Sequence, residues 1–166
     1  MAQTKLGDLV VNTTGNLPAT GATAPAFTLT GTDLKDKTIN DFSGKTLVLN
    51  IFPSVDTRVC ATSVREFNKR TAELPEVTVL CISRDLPFAQ SRFCGAEGIN
   101  NVVMLSDFRN KQFAADYGVE LADGGFAGLL ARSVIVIGQD GKVKHAEMVP
   151  SIGQEPDYDA ALKAIK

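Results

Sequence analysis

The sequence predicts an α/β fold, a mixed β-sheet flanked by helices, and three observations carry that prediction. Residues 47–52 and 77–82 are continuous apolar runs, the pattern of strands buried on both faces. Between and after them lie stretches whose apolar residues recur at helical spacing. Near the end, Asp140-Gly141 separates two short strand-like runs, which is a hairpin signal.

In order along the chain, the first forty-odd residues are rich in Thr, Gly and Asp and broken by Pro18, Gly21 and Pro25. They read as strands and turns, with extended candidates at Leu9–Asn12 and residues 27–30. The run 47–52 is a strand stopped by Pro53. Residues 54–74 place Val59, Ala61, Val64, Phe67 and Leu74 among charged residues, an amphipathic helix ended by Pro75. After the strand 77–82, Asp85 followed by Leu86-Pro87 reads as an N-cap with proline in the first turn, and Gly95 as the close of that helix. Residues 102–105 form a third strand, and 108–117 a helix stopped at Gly118. The hairpin 134–137 and 143–148 and a helix over 156–165 complete the order. With no linker or repeat, residues 1–166 are expected to form one domain.

Composition narrows the function. A 44% hydrophobic and 22% charged chain is neither disordered nor fibrous. Net charge near −2 leaves no footprint for nucleic acid or an anionic membrane. No apolar run approaches a membrane span, and the first residues lack the apolar core of a signal peptide, so a cytoplasmic location is expected. In that reducing compartment an odd count of three cysteines argues against a disulfide scaffold.

Several motifs fail on inspection. Gly44-Lys45-Thr46 resembles the end of a phosphate-binding loop, but Ile39 stands where the first glycine belongs and a strand follows instead of a helix. Gly124, Gly125 and Gly128 lack dinucleotide-binding spacing and read as a loop that can shape a pocket entrance. Three cysteines and His145 lack the short paired spacing of a zinc knuckle, and His145, beside Lys142 and Lys144, reads as solvated. No G-x-S-x-G elbow is present. No metal or cofactor is expected.

Cys60 stands out. It follows a buried strand, a proline stop and a short loop, in the first turn of a helix. Unpaired amides and the positive end of the helix dipole there favour thiolate over thiol, and Thr57, as N-cap, would bring its hydroxyl beside the sulfur. On these residues alone an inert cysteine packed under the helix remains the other reading. Cys81, inside Val-Thr-Val-Leu-Cys-Ile, reads as a small core hydrophobe.

The pattern Pro53-x-x-x-Thr57-x-x-Cys60 resembles the signature of the peroxiredoxins, thiol-dependent peroxidases with a thioredoxin-like fold. The longer string Pro-Ser-Val-Asp-Thr-x-Val-Cys-Ala-Thr-Ser-Val-Arg, with the block from Asp85 through Cys94 to Gly98, is similar to the family's bacterial thiol peroxidase branch. The likeness runs from an N-terminal β-hairpin to Glu155-Pro156-Asp157-Tyr158, almost the whole chain. It implies that Cys60 attacks the peroxide, that Thr57 hydrogen-bonds it, and that Pro53 shields the pocket. It implies that Arg132 stabilises thiolate and peroxide, a task suited to a guanidinium that keeps its charge. It implies that Cys94 resolves the Cys60 sulfenic acid into an intramolecular disulfide, reopened by thioredoxin. Hydrogen peroxide and organic hydroperoxides would be reduced, in antioxidant defence, by a homodimer packed near the active-site loops. One departure is Arg58, where close relatives often carry a smaller residue or proline. A thioredoxin-type reductase is excluded because Thr57 and Ser63 stand where a Cys-x-x-Cys partner would be. A redox-sensing module using the same cysteine without turnover stays open.

Overall fold

The computed structural model describes residues 2–165. Its centre is a seven-stranded mixed sheet in the order β4-β3-β7-β6-β5-β8-β9. The strands are β3 (Thr28–Gly31), β4 (Asp36–Thr38), β5 (Thr46–Ile51), β6 (Val77–Ser83), β7 (Val102–Ser106), β8 (Ser133–Ile137) and β9 (Val143–Met148). Strands β5, β6 and β7 are parallel, and β8 runs antiparallel to β5. A separate hairpin, β1 (Gln3–Leu6) and β2 (Leu9–Asn12), precedes them.

Side-chain alternation along β5 assigns the two faces. Leu47, Leu49 and Ile51 enter one core with Phe113, Ala114 and Tyr117 of α3 (Gln112–Tyr117). Val48 enters the other, with Val64 and Phe67 of α1 (Arg58–Arg70), Phe93 of α2 (Pro87–Glu97), and Tyr158 and Ala161 of α4 (Tyr158–Ile165). The crossovers β5-α1-β6 and β6-α2-β7 therefore lay both cysteine-bearing helices on one face, as parallel strands with like-handed crossovers require. Phe67 meets Tyr158 edge-on, ring centres 5.1 Å apart, and Arg70 lies over the same ring.

Several expected boundaries move, each for a local reason. Helix α1 ends at Arg70 instead of Leu74: at Thr71 the backbone leaves helical geometry, and the amides of Ala72 and Leu74 turn to carbonyls three residues back, while the Thr71 hydroxyl donates to the Phe67 carbonyl (2.7 Å). Helix α2 runs through Gly95. It stops at Gly98, whose φ of +65° is the left-handed close, with amides 98 and 99 both donating to the Cys94 carbonyl. Its N-cap is Leu86, and the Asp85 carboxylate is engaged elsewhere. Helix α3 begins at Gln112 because 108–111 form a turn tied by Phe108 N–H to Ser106 Oγ. Gly118 closes α3 as expected. A Cβ there would sit 2.4 Å from the backbone of Asn16, so glycine is required by contact as well as by φ. Helix α4 starts at Tyr158, two positions inside the expected segment, with the Asp157 carboxylate accepting from the Ala160 amide. His145 is half-buried with Nε2 enclosed and unpartnered, not solvated, because it lies on the face of β9 that α4 covers.

Candidate active site

Strand β5 ends where the Phe52 amide donates to the Ile82 carbonyl (3.1 Å), and buried Pro53 cannot extend the ladder. The loop 53–57 crosses the carboxyl ends of β5 and β6, the position where open α/β sheets hold ligands. Thr57 occupies the N-cap in extended conformation, but its hydroxyl donates to the Ser54 carbonyl (3.0 Å) and accepts from none of the first-turn amides. The first helical bond runs from Ala61 N–H to Thr57 C=O, which leaves the Cys60 amide among the unpaired donors of the turn.

Cys60 is fully buried, at 0% exposure. Its carbonyl accepts from Ser63 Oγ (2.8 Å), which accepts in turn from Asn50 Nδ2 (3.1 Å), so the first turn of α1 is fastened to β5. Its sulfur receives Nη2–H of Arg132 at 3.0 Å. Arg132 stands immediately before β8, next to β5 in the sheet, and only 1% of it is exposed. Its Nε–H donates to the Ile152 carbonyl (2.8 Å), while Nη1 is buried with no partner. Among the described residues no carboxylate pairs with it. A buried guanidinium without a carboxylate is costly, and here the sulfur is the group positioned to answer its charge.

A pocket of about 450 Å³ opens beside this pair. Thr57 and Arg132 supply polar wall, and Leu6, Val59, Phe126 and Ile152 supply apolar wall. Leu6, Phe126 and Ile152 belong to a small third core beneath the N-terminal hairpin, and nothing local in the sequence around Leu6 or Ile152 pointed to the site. Phe126 had the one available signal, the glycine loop around it, where Gly124 at φ +79° lets the chain pass close to Val11. Arg58 is exposed and also lines the pocket, so this departure faces the entrance.

The other two cysteines differ from Cys60 and from each other. Cys81 is fully buried in β6 and burial pushes its thiol up to about 12, tempered by Asn50 Nδ2 at 3.8 Å. Cys94 lies near the end of α2, half-buried against the core that contains Cys60, and burial raises its thiol as well. All three sulfurs are free thiols. Thus Thr57 and Arg132 line one pocket, the Cys60 sulfur lies behind it against Arg132, Pro53 sits at the foot of the loop, and Cys94 lies on a separate helix packed on the same core. Among the described residues no group of three His, Cys, Asp or Glu side chains is placed to hold a metal ion.

Known proteins resemble the chain in sequence and fold. The redoxin family profile matches residues 19–162. Thiol peroxidases of Mycobacterium tuberculosis and Mycobacterium bovis are each 59% identical to the chain, with 99% of both sequences covered. The crystal structure of a peroxiredoxin-like protein from Aquifex aeolicus superposes with a TM-score of 0.91 at 37% identity, covering 98% of this chain and 95% of that one. The thiol peroxidase from Chromobacterium violaceum shares the fold at a TM-score of 0.90 and 23% identity, over 97% and 93% of the two chains. By sequence over its whole length and by its thioredoxin-like architecture, the chain belongs to the redoxin family, among the thiol peroxidases of the peroxiredoxin class.

Proposed function

We propose that one domain spanning residues 1–166 reduces hydrogen peroxide and organic hydroperoxides by cysteine chemistry, with Cys60 as nucleophile. The observation that carries this reading is Arg132, a buried cation that gives one Nη–H to the Cys60 sulfur, keeps the other Nη enclosed without a partner, and contributes to the pocket wall. A hydroperoxide entering the pocket would meet the Arg132 guanidinium and Thr57 as its polar contacts. The Cys60 thiolate attacks the terminal peroxide oxygen and the O–O bond breaks. The leaving oxygen takes a proton and departs as water or alcohol, and Cys60 becomes a sulfenic acid. Pro53 keeps the loop dry. The apolar wall of Leu6, Val59, Phe126 and Ile152 supports organic hydroperoxides as substrates alongside hydrogen peroxide.

Cys94 then attacks the sulfenic sulfur, water leaves, and a Cys60–Cys94 disulfide forms. Thioredoxin, as a dithiol, reduces it by exchange and is itself oxidised. No metal or organic cofactor takes part. We place the enzyme in the cytoplasm and as a homodimer. Phe88 and Phe108, 67% and 55% exposed, border a surface near the start of α2 that favours a second copy. No helix among the described residues is long and apolar enough to cross a membrane.

The test is NADPH consumption with thioredoxin, thioredoxin reductase and cumene hydroperoxide. Turnover is expected, lost in Cys60→Ser, and lowered about 10²-fold in kcat/KM in Arg132→Met, the scale of removing one preorganised donor from an active site. A single stoichiometric oxidation without turnover would favour the sensing module instead.

A further inference from the structure

One carboxylate joins the two cysteine-bearing segments without touching either sulfur. Asp85 follows β6 and immediately precedes α2. Its Oδ1 accepts the Ser54 hydroxyl at 2.7 Å, and its Oδ2 accepts the Val55 amide at 2.9 Å, so the loop leading to Thr57 and Cys60 hangs on it. Oδ2 also accepts the Ser83 hydroxyl at 2.6 Å. Ser83 Oγ in turn receives Nε2–H of Gln90 at 3.2 Å, and the same Nε2 donates to the Leu105 carbonyl at 2.9 Å. Gln90 is fully buried on α2, one helical turn before Cys94.

None of these groups lines the pocket beside Arg132. Their placement does bear on the step after peroxide reduction. The Cys60 sulfur is buried under Arg132 in the first turn of α1, and Cys94 is on another helix, so both segments must loosen before the sulfurs can bond. The loop on one side and the helix on the other are held by the same polar chain. Hydrogen bonds to a buried or half-buried carboxylate are stronger than neutral ones, and connected chains reinforce one another.

We propose that Asp85 is a positioning residue that, through Ser83 and Gln90, latches the Cys60 loop to the Cys94 helix and so sets how long the Cys60 sulfenic acid persists before disulfide formation. The inference rests on the peroxidase reading above. While the latch holds, the sulfenic acid stays in the pocket, where a second peroxide can oxidise it to sulfinic acid with loss of water or alcohol. When it opens, Cys94 attacks, water leaves and the disulfide forms. The balance between the two products therefore reports the latch.

The experiment uses the full reduced chain in single turnover with hydrogen peroxide. The chain has no tryptophan to report the change, so samples are acid-quenched and cysteine products are counted by mass spectrometry. Asp85→Asn keeps the shape but turns an amide donor toward existing donors. It is expected to form the disulfide about tenfold faster and to need about tenfold more peroxide for half conversion to sulfinic acid, the scale of losing a charge-assisted hydrogen bond. Ser83→Ala removes the hydroxyl that bridges Asp85 Oδ2 and Gln90 and leaves the Asp85 contacts with Ser54 and Val55. It should shift the same ratio in the same direction by about threefold, and it decides the matter if the Asp85 variant does not fold. A merely structural role would lower the melting temperature and leave the product ratio as in wild type, and that outcome overturns the latch. Absence of any Cys60–Cys94 disulfide in the wild-type chain would instead bring down the peroxidase reading and the latch with it.

Discussion

At Cys81 the thiol is fully enclosed, with the amide of Asn50 at 3.8 Å, and burial holds it protonated to about 12 against an ordinary 9.0. The folded chain therefore favours the neutral thiol, while the unfolded chain ionises it freely once pH passes 9.0. The contribution to stability is complete below that pH and is lost as pH climbs toward 12. Between pH 8 and pH 10 it falls by about 1.4 kcal/mol. Urea unfolding should show Cys81→Ala less stable than wild type at pH 8, from the cavity, yet with a drop on going to pH 10 that is smaller by about that amount. Equal drops would mean that water reaches Cys81. Its inert character was readable from the apolar run around it. The role of Asp85 was not, because Asp-Leu-Pro reads locally as a helix cap, whereas the hydroxyl and amide that claim the carboxylate come from Ser54 and Val55, far away in sequence.

Helix α2 carries its cysteine next to a weak end. From Gly95 to Gly98 the helix is exposed, and amides 98 and 99 share the single Cys94 carbonyl. A Cβ at Gly95 would meet nothing within 4 Å, and that residue is helical. Gly95→Ala should therefore stabilise the fold by about 0.5–1 kcal/mol, raise the melting temperature by a few degrees, and slow disulfide formation by about two- to fivefold. A wild-type rate in the stabilised variant would show that this end of α2 does not unwind. At this scale the buried strands β5, β6, β7 and β8 and the hairpin turn at Asp140-Gly141 were legible, since each is a local pattern. Strand β4 was not, and β1 was expected only through the family resemblance, as part of the N-terminal hairpin that the fold contains. Lys5 and Lys37 give them no apolar alternation, and they exist because β2 and β3 offer edges to pair with.

Across the whole molecule, topology assembles the site. The parallel ends of β5 and β6 deliver the Cys60 loop and Asp85, the antiparallel return of β8 delivers Arg132, and the third core under the N-terminal hairpin supplies Leu6, Phe126 and Ile152. The Cys60 loop was visible in sequence because its chemistry is compressed into residues 53–60. The last was not, because it is gathered by burial and by the Arg132 bond to the Ile152 carbonyl. Net charge near −2 agrees with small uncharged substrates that need no long-range steering. The central claim is that Cys60 reacts first and Cys94 second, and peptide mapping of the reduced wild-type chain after one equivalent of peroxide tests it most directly. The account predicts a Cys60–Cys94 disulfide with Cys81 still a thiol. An unmodified Cys60, or a bridge from Cys60 to Cys81, would contradict it.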